Sequence, residues 1–268
     1  MSSSTKPNPV IFIHGLWIHS AAWQPWLELF ESCGYTASAP GWPGDAPTVA
    51  ETREHADALD NVGIEQIVDH YAGVIGTPET KPILVGHSFG GLIAQVLLAN
   101  GLAAAAVAID PAPIRGVKAL PLAQLRSGFP VIGNPANKHR TVSLTAKQFH
   151  YAFGNTLTEE ESDALYAAWT IPGPGRPVFE VAGANFSRHS PAKVDTRNAE
   201  RGPLLLTSGT EDHTVPLKVT KEVFGIYSKE PADTDFHVFD GRGHSLTFDS
   251  GWKDVADFAL NWFAAKGF

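Results

Sequence analysis

Between residues 81 and 100 the chain reads KPILVGHSFGGLIAQVLLAN: an apolar run, a turn rich in glycine, and a second apolar stretch with helical spacing. The first run has the length of a buried strand and the second that of a helix, so the two must be joined with almost no loop. A junction that sharp strains the backbone of Ser88, and Gly86 and Gly90 remove the side chains that would collide as it closes. Ser88 is then expected at the tip, its hydroxyl above a sheet, with the helix that begins near Phe89 pointing its partially positive N-terminus at the same place.

The pattern repeats along the chain. VIFIHG (10–15), YTASAP (35–40), PILVGH (82–87), AAVAIDP (105–111), PLLLTSG (203–209) and DFHVFDG (235–241) read as buried strands, separated by amphipathic stretches near 22–32, 64–75, 89–100, 217–228 and 252–265. Strands alternating with helices specify an α/β fold: a mostly parallel sheet of about six strands covered by helices on both faces, with ligands bound beyond the carboxyl ends of the strands. Residues 1–110 and 203–268 form this core. The interval 111–202 breaks the rhythm, being rich in Pro and Gly yet carrying Phe153, Trp169 and other aromatic residues. It is too long for a structureless loop and is read as a helical cap over the site. TLTEEESDALYAAW supports a helix there, with Thr158 as N-cap, Glu161 closing a capping box, and Leu165 and Trp169 on one face.

Composition narrows the function. The formal charge of −8 comes with no basic run, which argues against nucleic acid as a partner. No stretch of eighteen apolar residues marks a membrane span, and the N-terminus has no apolar core or cleavage site of a signal peptide, so a cytoplasmic location is expected. Cys33 is the single cysteine, which rules out an internal disulfide and a cysteine-based zinc site. The histidine spacing lacks a helical zinc-binding pair, and neither a metal nor a cofactor is expected. Self-association into a homo-oligomer is compatible with this composition.

A serine hydroxyl needs a base to act as a nucleophile, and the base needs a carboxylate to fix its tautomer. Asp212 in GTEDHTVP and His244 in GRGHS follow the last two strand-like runs and are the preferred partners of Ser88. Asp110, which ends an earlier strand, is the rival acid, with Glu211 and Asp240 behind it. His87 is expected to point away from Ser88 and pack, His14 to support the loop after the first strand, and His213 to be structural or rim-lining. Trp23 and Trp26 are read as packing a helix on the sheet. Trp17 and Trp42 follow strand ends and, with Phe153 and Trp169 of the insertion, are expected to line an apolar pocket.

HGLW, GHSFGG, GTEDHTVP and GRGHS, in this order at the ends of strands, resemble the α/β-hydrolase family over nearly the whole chain. Few residues precede the first strand, so the resemblance is to a compact form lacking the first two strands, as in the plant methylesterase and hydroxynitrile lyase branch. It implies an oxyanion hole from the backbone N–H groups of Phe89 and Leu16, with Trp17 as the alternative to Leu16. The implied activity is serine-dependent cleavage of a small to medium apolar carboxylic ester or lactone through an acyl-enzyme, with that small molecule as the partner. A lyase of the compact branch would carry Thr in place of Gly15 and Lys in place of Ser245, and Ser88 excludes mechanisms that use an aspartate nucleophile. A cofactor-free perhydrolase of haloperoxidase type, a carbon–carbon bond hydrolase and a non-catalytic small-molecule receptor stay open as alternatives.

Overall fold

A computed structural model describes residues 8–268; the start of the chain, residues 1–7, on which the leader argument rests, lies outside that range. The first part of the chain runs β1 (Val10–Ile13), α1 (Gln24–Ser32), β2 (Ala37–Ser38), α2 (Val49–Glu54), α3 (Ile64–Ile75), β3 (Ile83–His87), α4 (Phe89–Ala99) and β4 (Ala105–Ile109). The interval that follows carries α5 (Leu122–Ile132), β5 (Thr141–Val142), α6 (Ala146–Ala152), α7 (Glu159–Trp169), β6 (Gly173–Pro174) and α8 (Arg176–Ala182). The chain closes with β7 (Leu204–Gly209), α9 (Leu217–Tyr227), β8 (Thr234–Phe239) and α10 (Trp252–Lys266).

Six strands form one sheet in the order β2-β1-β3-β4-β7-β8, and every neighbouring pair is parallel. All residues of β1, β3, β4 and β7 are buried, which is why these segments are continuous apolar runs rather than alternating ones. The chain starts in the interior of the sheet, moves out to β2, and returns to the other side of β1 as β3. That reversal opens a crevice at the carboxyl ends of β1 and β3, the place where open parallel sheets bind ligands.

Side chains alternate along each strand, so the sheet has two cores. Val10 and Phe12 face one side, packed with Trp23, Trp26 and Phe30 near α1 and with Val255, Ala259 and Phe263 of α10. Ile11 and Ile13 face the other, with Ile67 and Tyr71 of α3, Leu92 and Ile93 of α4, and Val219 and Val223 of α9. Trp23 and Trp26 pack on Phe12 at ring distances of 5.0 and 5.8 Å, as expected for helix-to-sheet packing.

The interval 111–202 holds four helices and the short antiparallel pair β5–β6. Its Val131, Leu144, Phe149 and Phe153 share one apolar cluster with Ile13 and Leu92 instead of forming a separate core. Backbone bonds join it to the loop after β1: His19 N–H donates to Trp169 O (3.0 Å) and Ile171 N–H to Trp17 O (2.9 Å). Thr158 caps α7 by accepting from Glu161 N–H at 3.1 Å, but the expected capping box does not close. The Glu161 carboxylate instead accepts from Ser250 N–H (2.8 Å), a donor brought in by the tertiary fold. No helix among the described residues is long and apolar enough to cross a membrane.

Candidate active site

Ser88 sits between the last residue of β3 and the first of α4 with φ 56° and ψ −120°. Close approach forces the flanking glycines: a Cβ at Gly86 would strike the carbonyl of Gly90, and one at Gly90 would strike the carbonyl of Ile13. Trp17 (φ 69°) and Asp110 (φ 43°) also have positive φ, so three of the four non-glycine residues in that region among those described stand at the ends of β1, β3 and β4. Strain of this kind persists where the surrounding structure over-determines it, and functional sites are where it clusters.

His244 lies in the loop after β8 and Asp212 in the turn after β7. The His244 Nδ1–H donates to Asp212 Oδ2 at 2.6 Å, with both side chains fully buried. The other Asp212 oxygen accepts from Thr214 N–H (2.6 Å) and Val215 N–H (2.7 Å), which fixes the carboxylate. Since Nδ1 carries the proton, the neutral ring presents Nε2 as an acceptor, and that buried atom has no hydrogen-bond partner among the described residues. The ring is held between His87 (4.6 Å between centroids) and Phe153 (5.0 Å). His87 donates from Nε2 to the His244 carbonyl (2.9 Å). Burial and the neighbouring His244 keep His87 well below the ordinary imidazole value, so it stays neutral.

Asp110 approaches the same pair. Its Oδ2 is 3.9 Å from His244 Nδ1, its Oδ1 accepts from Gly209 N–H (3.0 Å), and its carboxyl meets that of Asp212. Burial and the adjacent Asp212 push Asp110 well above the usual carboxylate range. Burial also acts to raise Asp212, but the adjacent His244, the hydrogen bond it donates and the Val215 N–H outweigh burial and hold Asp212 below that range. Burial and the neighbouring charge thus favour the neutral form of Asp110 beside an ionised Asp212.

These three groups are the one cluster among the described residues whose ligand atoms lie within 4.8 Å of one another. A 2.6 Å contact between Nδ1 and Oδ2 is a hydrogen bond. Two ligands that close, each about 2.1 Å from a zinc ion, would subtend only about 76° at the metal, far below the tetrahedral angle.

A cavity of about 310 Å³ opens at this end of the sheet, lined by Trp17, Ser88 and Phe89 together with Ile114, Val117 and Val215. The N–H groups of Leu16 and Phe89 have no acceptor among the described residues. Gly15 lies against Ser88, since a Cβ there would be 2.7 Å from Ser88 Cβ. His14 supports the loop: its Nδ1–H donates to Gly15 O (2.9 Å), and its Nε2 faces buried Asp45 at 2.9 Å. His213 packs on Tyr151 and bonds to its carbonyl (3.0 Å).

Two expected wall residues lie elsewhere. Trp42 stacks on His14 at 5.0 Å and its backbone N–H donates to Asp45 (2.9 Å), so it braces the loop rather than the cavity. Trp169 is half-buried against the core and reaches the site only through its carbonyl. Phe153 covers His244 and does not line the cavity, and of the four aromatic candidates Trp17 alone does. The sequence reading missed the wall residues Ile114, Val117 and Val178 and the buried pair of His14 and Asp45. Asp45 stands in the turn GWPGDAP, whose glycines and prolines are the one signal that an ordered loop follows β2.

The model of the alpha/beta hydrolase family matches residues 10–258. The chain belongs to the alpha/beta hydrolase family. Among curated relatives it is 27% identical over 266 residues to a non-heme chloroperoxidase of Kitasatospora aureofaciens, covering 92% of this chain and 88% of that protein. Solved structures of the same fold include a putative non-heme bromoperoxidase from Mycobacterium tuberculosis (TM-score 0.69, 20% identity, 98% of this chain and 94% of that one). Another is an extracellular alpha/beta-hydrolase from a Paenibacillus species (TM-score 0.67, 23% identity, 95% and 98%). A third is the monoacylglycerol lipase of Paleococcus ferrophilus (TM-score 0.66, 20% identity, 97% and 96%). Strained Ser88 follows β3, a central strand, and Asp212 and His244 follow β7 and β8 in chain order.

Proposed function

We propose that this alpha/beta hydrolase is a serine hydrolase of small to medium apolar carboxylic esters or lactones. One observation carries the reading: a buried His244 whose Nδ1–H is held by ionised Asp212 and whose Nε2 is left without a partner among the described residues, together with a strained Ser88 that lines the cavity. In this reading His244 Nε2 takes the proton of Ser88 as Oγ attacks the ester carbonyl. The tetrahedral oxyanion receives the N–H groups of Leu16 and Phe89, which have no other acceptor. His14 contributes here: in a planar trans peptide the C=O and N–H point in opposite directions, so binding Gly15 O also aims the N–H of Leu16. His244 returns the proton to the leaving alkoxide, an acyl group stays on Ser88, and water activated by His244 releases it.

The interval 111–202 serves in this reading as the cap, because Ile114, Val117, Leu120 and Val178 all supply cavity wall. Their apolar side chains suit an apolar acyl or alcohol group. The chloroperoxidase relative supports a second outcome at the same site. Hydrogen peroxide in place of water would attack the acyl-enzyme carbonyl and release a peracid, with Ser88 regaining its proton through His244.

Turnover of p-nitrophenyl esters from acetate to dodecanoate, with and without peroxide, tests both readings. The ester reading predicts turnover lost in Ser88→Ala and an optimum acyl length set by the cavity. Peroxide-dependent peracid formation would assign the second. A folded parent protein that hydrolyses no ester in the series overturns the first.

A further inference from the structure

We propose that the outer face of α5 and the groove between α5 and α6 dock the protein on an anionic lipid surface, from which the ester passes into the cavity; this rests on the ester-hydrolase reading. The first observation is exposure. Of the five large apolar residues exposed among those described, four belong to the interval 111–202: Leu120, Leu122 (84%), Phe129 and Phe186 (94%). Leu120 and Phe186 stand in the wall of the cavity that holds Ser88. Leu122 and Phe129 are seven residues apart on α5, hence on one face of the helix, and Arg126 lies between them on that face. An apolar helix face with a cation in it, beside a cavity mouth, suits an element lying in the plane of a lipid interface.

Charge supplies the second observation and selects the kind of lipid. The chain carries 28 acidic residues, yet from Pro111 to Thr158 there is none, while Arg115, Lys118, Arg126, Lys138, Arg140 and Lys147 all fall in that stretch. Two acids of neighbouring elements bond to it, Glu222 to the N–H groups of Lys118 and Ala119 and Asp60 to that of Thr141, against its six cations. With a total formal charge of −8, the rest of the molecule is repelled by an anionic surface, which makes the acid-free stretch carrying α5 and α6 the part suited to approach it.

The groove is the third. It encloses about 500 Å³ between Leu125, Arg126, Phe129 and Pro130 of α5 and Lys147 and Tyr151 of α6. Arg126 is held over the Tyr151 ring at 3.8 Å, so one cation is fixed at the wall while Lys147 stands on the other helix. Two cations above an apolar floor fit an acidic headgroup with the start of its acyl chain. Leu125 and Ser127 line both this groove and the cavity of Ser88, so a lipid seated here lies one side chain from that cavity.

Co-sedimentation with vesicles tests the proposal, comparing phosphatidylcholine alone with phosphatidylcholine containing phosphatidylglycerol. The parent and Ser88→Ala should both bind the anionic vesicles, at least about tenfold more tightly than the neutral ones, and added salt should weaken that binding. Leu122→Ser with Phe129→Ser, and separately Arg126→Glu with Lys147→Glu, should each lose about tenfold or more while melting at the parent temperature. Equal binding to both vesicle types, or none, overturns the proposal. So does light scattering that shows a dimer which Leu122→Ser with Phe129→Ser dissolves, because a second copy would then cover this face. Binding by a parent that turns over no ester would sink the hydrolase reading and leave the docking face standing.

Discussion

Replacing Asp110 by asparagine separates the two acids that meet His244. One carboxyl oxygen of each lies within 4.8 Å of the other, and both side chains are buried. At an effective dielectric of about 20, two charges at that distance repel by about 3 kcal/mol, and burial, the larger cause, opposes a second charge further, so the pair favours holding one proton. Asp212 has two backbone donors and His244 to stabilise its charge, whereas Asp110 has only Gly209 N–H, so the proton belongs to Asp110. An amide in place of a neutral acid keeps both contacts: its oxygen accepts from Gly209 and its N–H donates to Asp212. In p-nitrophenyl ester hydrolysis, Asp110→Asn should hold kcat/KM within about threefold of the parent, while Asp212→Asn should lose about 10³ to 10⁴, as when a triad histidine loses the carboxylate fixing its tautomer. Stability gives an independent reading. Asp110 is raised in the folded state, so the stability its proton provides is present below the unfolded carboxyl value and declines as pH rises toward the folded value. Asparagine does not titrate. The melting temperature of Asp110→Asn relative to the parent should therefore climb from about pH 4 upward. An Asp110→Asn variant as inactive as Asp212→Asn, with no such gain, would refute this reasoning and make Asp110 the working acid.

Three other outcomes follow from the same geometry. Gly90→Ala sets a Cβ against the carbonyl of Ile13, and should lower the melting temperature by about 6–12 °C, from an overpacking cost of about 3 kcal/mol, or prevent folding. Asp249 anchors the loop of His244 by accepting from Arg242 (2.5 Å), Ser245 (2.8 Å) and Gly251 (2.9 Å). Asp249→Asn should cost about 2–3 kcal/mol, about 5–10 °C in calorimetry, and lower kcat more than it changes KM. Val178→Trp fills part of the cavity wall, and a chain-length series should show dodecanoate turnover falling about tenfold with acetate nearly unchanged.

The frame was legible because burial on both faces leaves β1, β3, β4 and β7 as unbroken apolar runs, each ending where a Gly, His or Asp changes the chemistry. The turn at Ser88 was legible for a steric reason, since Gly86 and Gly90 stand where the backbones of β1, β3 and α4 nearly touch. Less could be read where long-range contacts decide. Trp42 follows a strand and has the look of a wall residue, but the pairing of His14 with Asp45 draws it onto the imidazole. Glu161 has the spacing of a capping box and is taken instead by Ser250, far away in sequence. In the insertion, Pro130 lies within α5 and Pro177 opens α8, so helix breakers mask the helices there. Asp110 and Asp212 each follow a strand, and only the donors each one meets in the fold separate their roles.

The account stands on a covalent role for Ser88. Treating the parent and Ser88→Ala with a fluorophosphonate, then measuring intact mass and mapping the modified peptide, tests it most directly. The account predicts a single adduct on Ser88 in the parent and none in the variant, with esterase activity falling in step with labelling. An unlabelled parent that still hydrolyses esters, or an adduct on another residue that accounts for the activity, would contradict it.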